Sequence, residues 1–205
     1  MHCMSTDLHF AAQAGDVSEV ERLVAAGADV NIQDENGNTP LKYASAEPHP
    51  EVLSTLISLG ANPHLADRRG FTPIHCVAGH GFYEESIEMA EILIKAGADV
   101  NVRSKVHGFV PLHEARTVRM IDFLLQHGAD PTIKNDEGQT PEQYLREDDE
   151  IEEAEHLTKR TANGYQDVAP NACPASSSSR HDRSNINPQS KPRPRAGVRG
   201  LDVRP

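Results

Sequence analysis

The sequence predicts an all-α solenoid of stacked helix pairs, because two short motifs recur along its 205 residues with a common period. The tripeptide Gly-Ala-Asp, or Gly-Ala-Asn in one copy, begins at Gly27, Gly60, Gly97 and Gly128, with steps of 33, 37 and 31 residues. A Thr-Pro pair, or Val-Pro in one copy, begins at Thr39, Thr72, Val110 and Thr140, with steps of 33, 38 and 30 residues. Periods of roughly 20 to 50 residues are typical of proteins in which similar units stack and bury one another's apolar faces.

Each repeat contains the same series of local structural signals. A glycine two residues before each Thr-Pro or Val-Pro pair favours a tight turn, because glycine adopts a positive φ without steric cost. Threonine then caps a first helix that starts with proline, whose missing N–H needs no acceptor there. A second helix follows, with apolar residues one turn apart, such as Leu53 with Leu56 and Ile57. The glycine of Gly-Ala-Asp ends that helix as a left-handed cap.

These motifs resemble those of the ankyrin-repeat family. Thr72-Pro73-Ile74-His75 and Val110-Pro111-Leu112-His113 match its Thr-Pro-Leu-His signature, and Gly97-Ala98-Asp99-Val100-Asn101 matches its finger-loop motif. The resemblance extends from about Asp7 to Leu157. It implies β-hairpin finger loops beside a concave groove formed with the first helices, and a scaffold that binds protein partners.

Residues 5–159 are predicted to form the ankyrin-repeat domain, with units near 7–34, 36–67, 70–104, 108–135 and a capping unit at 138–157. The capping unit keeps Thr-Pro but is otherwise mostly polar, as the exposed end of a repeat array must be. Lys42 replaces the signature histidine in the second unit. The turn between the two helices is four residues longer in the third unit and three residues shorter in the fourth.

Residues 160–205 are predicted to form a disordered basic tail, because they contain a serine run and a Pro/Arg alternation and no apolar periodicity. Between Pro170 and Pro205 there are seven Lys and Arg residues and two Asp residues, a net charge of +5. The whole chain carries −11, so the other 169 residues carry −16, which argues against nucleic acid as a partner of the folded part. A solvated linker is the favoured interpretation of the tail, and a nuclear-import or nucleic-acid-contacting segment is the alternative.

Composition limits the class of protein further. No stretch is long and apolar enough for a membrane span, and the first residues lack the pattern of a secretory signal, so we expect a cytoplasmic protein, or alternatively a nuclear one, that does not contact membranes. Three widely spaced cysteines predict neither a disulfide framework nor a zinc knuckle. No phosphate loop, nucleophile elbow or apolar pocket with paired carboxylates is found, so we expect no catalytic residues and no cofactor. We also expect a monomer.

The histidines and the acidic run have structural interpretations. His113-Glu114 begins like a zinc-binding motif, but Thr117 stands where the second histidine is required, and no metal site is predicted. The family resemblance implies instead that His75 and His113 hydrogen-bond the backbone of neighbouring finger loops. Residues 147–155 hold seven carboxylates in nine positions, which favours a solvated helix face, with a patch for a basic partner as the alternative.

The predicted binding surface lies on the two central finger loops, because the outer two carry only polar or acidic residues at their tips. The central tips carry Arg68, Arg69, Phe71, Val106, His107 and Phe109. Aromatic and arginine side chains near the middle of a concave surface are typical of binding hot spots. We therefore predict that these six residues anchor a protein partner, the alternative being that Phe71 and Phe109 fold back over neighbouring loops.

The resemblance also implies a modification. Finger-loop asparagines of similar arrays can be hydroxylated in animal cells, and Asn31 and Asn101 each follow a leucine, Leu23 and Leu93, by eight residues. The predicted function is a non-enzymatic adaptor or scaffold that binds a protein through its finger loops and groove. The alternative is a transcriptional co-regulator or microbial effector that acts through the same array.

Overall fold

The computed structural model describes residues 4–81, 84–148 and 150–162, and these residues form ten helices and no strand. The helices are α1 (Met4–Ala14), α2 (Val17–Ala25), α3 (Pro40–Ala44), α4 (Pro50–Ser58), α5 (Pro73–Gly79), α6 (Ser86–Lys95), α7 (Pro111–Glu114), α8 (Val118–Gln126), α9 (Pro141–Glu147) and α10 (Ile151–Ala162). They alternate between first and second helices of five repeats. The predicted all-α repeat solenoid is confirmed.

The stacking order follows the chain. First helices contact first helices, α1 with α3, α3 with α5, α5 with α7 and α7 with α9. Second helices contact second helices in the same way, from α2 with α4 to α8 with α10. Each unit therefore buries its apolar face against one or two neighbours, which is the reason that a single unit could not be stable by itself.

The folded part extends slightly beyond the predicted boundaries. Helix α1 begins at Met4, and α10 continues to Ala162, three residues past the predicted end at 159. Arg160 belongs to the folded unit because its Nε lies 3.1 Å from Asp122 Oδ1 on α8. The rest of the predicted tail, residues 163–205, lies outside the described residues.

The Thr-Pro pairs start the first helices as predicted. The Oγ1 atoms of Thr39 and Thr140 accept hydrogen bonds from the backbone N–H three residues later, at 3.2 and 3.4 Å. Val110 has no hydroxyl, but the Nδ1 of His113 accepts from the Val110 N–H at 3.2 Å, as the Nδ1 of His75 accepts from the Thr72 N–H. The signature histidine therefore stabilises the helix start whether threonine or valine precedes the proline.

The core consists almost entirely of aliphatic side chains. Leu8, Leu53, Ile74, Leu93 and Leu124 are fully buried, and together with the other buried Leu, Ile, Val, Met and Ala side chains they form one continuous cluster along the stack. Because the helices approach closely across small residues, this core needs few aromatic rings, in agreement with an aromatic content of 4% and no Trp.

The finger loops are tight hairpin turns. Three of them are closed by a backbone hydrogen bond between residues four apart, from Asp34 N to Asn38 O, from Asp67 N to Phe71 O and from Asn135 N to Gln139 O. The finger between the third and fourth repeats is one residue longer, and its hydrogen bond runs from Ser104 N to Phe109 O at 2.7 Å. Neighbouring fingers are joined by backbone hydrogen bonds, such as Lys105 N to Arg69 O at 2.8 Å.

Glycine is required where two fingers meet. Gly70 has a φ of +87°, and a Cβ atom there would collide with the backbone nitrogen of Lys105. Positive φ and close approach of two backbones are both conditions that only glycine meets without strain.

Candidate partner-binding groove

A concave groove of about 420 Å³ lies between the second and third fingers and the helices α5 and α7. We call it the central groove; it is lined by Arg69, Phe71, His75, Cys76, Gly79, His80, Val106, His107, Phe109, Glu114 and Arg116. A smaller cavity of about 180 Å³, which includes Lys42 and Tyr43, adjoins it and shares Cys76. The concave face thus offers a continuous depression along the first helices.

Five of the six predicted binding residues line this groove. Arg69, Phe71, Val106, His107 and Phe109 are brought together from two different fingers. Arg68 is exposed beside Arg69 but does not line the groove. The structure thus places the predicted residues on one surface, with Arg68 at its edge.

The two phenylalanines differ in exposure. Phe109 is only 9% exposed, and its ring packs against those of His107, His113 and Tyr144, with the Tyr144 centroid 4.6 Å away. The expectation that Phe109 projects freely is therefore corrected, since it adopts the alternative in which the ring covers neighbouring residues. The Phe71 ring is half-buried, and the Arg69 guanidinium lies 5.1 Å from its centroid, within the range of a cation–π contact.

The longer third finger presents the most exposed apolar residue of the groove. Val106 is 39% exposed at its tip. Next to it, His107 has a φ of +68°, and it is the one non-glycine with positive φ among the residues that the structure describes. Backbone strain of this kind is concentrated at binding sites. The sequence carries the signal, since the step from Gly-Ala-Asp to the X-Pro pair is 13 residues here and 12 in the other repeats.

Signature histidines fix the finger above them, as the family resemblance implies. The Nε2 atoms of His75 and His113 lie 3.1 and 3.3 Å from the carbonyl oxygens of Phe109 and Gln139. His9 makes the equivalent contact with Asn38 O at 2.9 Å. Burial lowers the pKa of His75 to about 4, against the opposing effect of the Phe109 hydrogen bond, and it also lowers the pKa of His113. Both rings are therefore neutral at neutral pH, which suits a hydrogen bond to a carbonyl oxygen.

In the second repeat, an ion pair fixes the finger in place of the histidine hydrogen bond. Lys42 and Asp67 are both buried, with 7% and 4% of their surfaces exposed, and form an ion pair. Asp67 Oδ1 also accepts from the backbone N–H groups of Arg69 and Phe71 at 2.9 Å each. Burial by itself would raise the pKa of Asp67, but the hydrogen bonds and the Lys42 charge outweigh it and lower that pKa. The Lys42 replacement thus fixes the second finger, which carries Arg69 and Phe71.

The shortened fourth repeat adds two charged groups that the sequence analysis did not identify. Helix α7 ends at Glu114, and Arg116 lies in the short link to α8. Arg116 forms ion pairs with Asp148 and, at 3.0 Å, with Glu150. Part of the predicted acidic face is therefore neutralised from within the array. The three residues missing from the fourth repeat are the sequence signal for this change. The direction of the charged side chains depends on the packing of α7 against the cap.

Glu114 has a different environment. Its side chain is half-buried in the groove and forms no hydrogen bond or ion pair within the described part of the chain. Burial raises the pKa of Glu114, and the positive charge of Arg116 opposes this effect. A half-buried carboxylate without a partner is uncommon in a folded protein.

No metal site appears in the described residues, because no three side chains of His, Cys, Asp or Glu are grouped to hold an ion. Cys76 lies on the groove floor, and burial raises the pKa of its thiol to about 11, so the thiol is protonated at neutral pH. The same residues include no helix long and apolar enough to cross a bilayer.

The two predicted modification sites bridge repeats. The side-chain amide of Asn31 donates to Gly60 O at 3.2 Å and accepts from Asn62 N at 2.8 Å. Asn101 makes the same pair of contacts with Gly128 O and Asp130 N, at 2.9 and 2.8 Å. Each amide thus makes one donated and one accepted hydrogen bond to the turn of the following repeat.

Comparisons with known proteins agree with this architecture. A family profile for ankyrin repeats in three copies matches residues 8–104 and 49–135. An ankyrin repeat protein of fowlpox virus is 31% identical over 171 residues, which cover 83% of this chain and 34% of the viral protein. The nuclear factor NF-kappa-B p105 subunit of chicken is 34% identical over 143 residues, or 66% of this chain and 14% of that protein. The neurogenic locus notch homolog protein 1 of mouse is 31% identical over 139 residues, again 66% of this chain but 5% of that protein.

This chain spans about a third or less of the length of those three relatives. Repeats of this kind serve generally in protein–protein interaction, and proteins that share them are generally non-catalytic interaction modules. The matched profile covers more than half of the 205 residues, and the helix pairs stack with the period of its motifs. On these grounds the chain belongs to the ankyrin-repeat family.

Proposed function

We propose that this protein is a non-enzymatic adaptor that binds a protein partner in the central groove. The observation that carries the proposal is the convergence of Arg69, Phe71, Val106 and His107 on one cavity of about 420 Å³. A concave surface with arginine and aromatic side chains at its centre has the composition of a binding hot spot. Phe109 supports this surface from below, and Arg68 extends it at one edge.

The groove is preorganised for binding. The third finger is held by the His75 hydrogen bond at Phe109 O and the second finger by the Lys42–Asp67 ion pair. Because both fingers are fixed before a partner arrives, binding costs little ordering of the backbone. A rigid wall with a few exposed side chains is suited to a folded partner or to an extended segment laid along the first helices.

Ankyrin repeats, which this chain shares with its relatives, support protein binding in general but do not indicate a particular pathway. The names of the relatives describe a viral ankyrin repeat protein, a nuclear factor subunit and a notch homolog, so the role of a transcriptional co-regulator or microbial effector is kept as a second proposal. The nuclear factor subunit favours the first of these roles, and the viral protein favours the second.

Photo-crosslinking from the groove tests the proposal. A benzoylphenylalanine residue replaces Val106 in the full chain, and a control protein carries it at Leu59, which has a similar exposure of 36% on another part of the surface. We expect a protein adduct from position 106 that is absent from position 59 and is lost when Phe71→Ala is added. Identical adducts from both positions, or an adduct that persists with Phe71→Ala, would contradict the proposal.

Hydroxylation of Asn31 and Asn101 is proposed separately. The hydroxyl would be added to a side chain whose amide already bridges two repeats, so the fold need not change. Intact-mass analysis of the protein from its own cells should show one or two added oxygen atoms, and an unmodified mass would refute the assignment.

A further inference from the structure

The central groove contains one charged side chain that has no counter-ion. Arg116 is paired with Asp148 and Glu150, and Arg69 lies 3.5 Å from Asp67 and stacks on Phe71. Glu114 alone, among the arginine and glutamate side chains that line the groove, forms no ion pair or hydrogen bond within the described residues. The Glu114 carboxylate therefore lacks direct contact with a cation in the described part of the chain, although the more distant charges of Arg116 and Arg69 also act on it.

The surroundings of Glu114 leave it accessible from the groove. It is the last residue of α7 and faces the end of α5, where a Cβ atom on Gly79 would lie 3.6 Å from Glu114 Oε2. Since residue 79 has no side chain, the space in front of the carboxylate is open. A larger residue at position 79 would fill this space.

The walls suit one kind of cation in particular. The rings of Phe71, His107 and Phe109 line the same groove as Glu114. A guanidinium group is planar, stacks on aromatic rings and donates two parallel hydrogen bonds to a carboxylate. An ammonium group offers a point charge and lacks the planar face. The chemistry of the groove therefore favours arginine over lysine.

We propose that Glu114 receives an arginine side chain of the partner protein, carried by an extended segment that crosses the groove between α5 and α7. The proposal rests on the adaptor function above and adds the chemistry of the partner. The long-range electrostatic potential has the same negative sign as Glu114, because the 169 residues before Pro170 carry a net charge of −16, and it attracts a basic segment.

A structural role of Glu114 would predict a different behaviour. If its carboxylate stabilised the fold, removal of the charge would destabilise the protein. Because it is half-buried and unpaired, we expect Glu114→Gln to leave the urea midpoint of unfolding unchanged or to raise it. Residues kept for binding at the expense of stability commonly show this pattern.

The experiment is a selection of displayed random 12-residue peptides on the full chain, followed by affinity measurement with synthetic copies of the enriched peptides. We expect the enriched peptides to share an arginine. Glu114→Gln and Gly79→Leu should each lower their affinity at least tenfold, and replacement of the arginine by lysine should weaken binding by a smaller factor. The matched control, Glu88→Gln, removes an exposed carboxylate from α6 outside the groove and should leave affinity unchanged.

The outcomes separate this proposal from the adaptor function. Loss of binding in Phe71→Ala but not in Glu114→Gln would retain the groove as the binding site and overturn the arginine assignment. Binding that neither variant changes would overturn both. Enriched peptides without arginine, or a clear destabilisation by Glu114→Gln, would also overturn the assignment. In a double-mutant cycle, replacement of the peptide arginine by alanine should add no further loss to that of Glu114→Gln.

Discussion

Replacement of Lys42 by methionine tests how the second finger is fixed. Methionine retains the length of the side chain but removes the charge that faces Asp67, and Asp67 is only 4% exposed. Removal of one partner of a buried ion pair typically costs about 3 to 5 kcal/mol, because the other charge stays buried. Asp67 keeps its hydrogen bonds from the backbone N–H groups of Arg69 and Phe71. We therefore expect the lower end of that range, about 3 kcal/mol.

The pH dependence gives this prediction a second readout. Asp67 has a lowered pKa in the folded protein, so its contribution to stability is complete above its unfolded pKa and is lost as the pH falls through the folded pKa. In Lys42→Met the hydrogen bond and the charge of Lys42 no longer oppose burial, so the pKa of Asp67 should be higher than in the unchanged protein. Arg69, whose side chain is largely exposed, remains 3.5 Å from the carboxylate. The variant can then take up a proton at a higher pH, and its deficit should shrink as the pH falls from 7 towards 4.5.

Urea denaturation of the full chain at both pH values measures these differences. The control is Lys95→Met, which removes an exposed ion pair with Glu91, and it should have a much smaller effect. The double variant Lys42→Met with Asp67→Asn should recover part of the loss, because no buried charge remains. A loss below about 1 kcal/mol in Lys42→Met, or an equal loss at both pH values, would refute the conclusion that the buried charge of Lys42 fixes the second finger.

Three further predictions concern other parts of the array. Because His75 has a folded pKa of about 4 and an unfolded pKa near 6.5, only the unfolded chain takes up a proton between these values. The free energy of unfolding should therefore decrease as the pH is lowered through this window, by up to about 1.4 kcal/mol per pH unit, and urea titrations should show a shallower dependence in His75→Gln. Gly70→Ala should destabilise more than Gly138→Ala in thermal unfolding, since both glycines have positive φ but a Cβ atom meets the Lys105 backbone only at position 70; equal effects would contradict the close approach of the fingers. Arg116→Gln should cost on the order of 1 kcal/mol and accelerate amide hydrogen exchange in α9 and α10 but not in α1 to α4, because its ion pairs join α7 to the C-terminal cap.

Much of the fold is predictable because repeats make it local. Helix starts depend on Thr-Pro pairs and helix ends on glycines, and these signals lie within a few residues of the structures they specify. The period then implies stacking, since every unit has the same apolar face. The boundary at 159 is less well predicted, because the last turn of α10 depends on a contact between Arg160 and Asp122 that has no local signal.

The finger-tip residues of the candidate site are predictable from the sequence, whereas the contacts that its residues make with other repeats are not. Finger residues such as Arg69 and Val106 are found from motif positions, because the hairpin fixes which residues form its tip. The burial of Phe109 is not, since it depends on Tyr144, which comes from the next repeat. The same holds for Arg116, whose partners lie 32 and 34 residues further along the chain.

The sequence by itself determined the class of architecture, and it predicted the repeat boundaries and the residues at the finger tips. It did so because each of these features depends on short-range signals repeated at a fixed period. Only the tertiary structure decided which charges are paired. Lys42 forms an ion pair with Asp67, and Arg116 forms one with the C-terminal cap, whereas Glu114 has no counter-ion in the described residues. This pairing depends on the distances between side chains of different repeats.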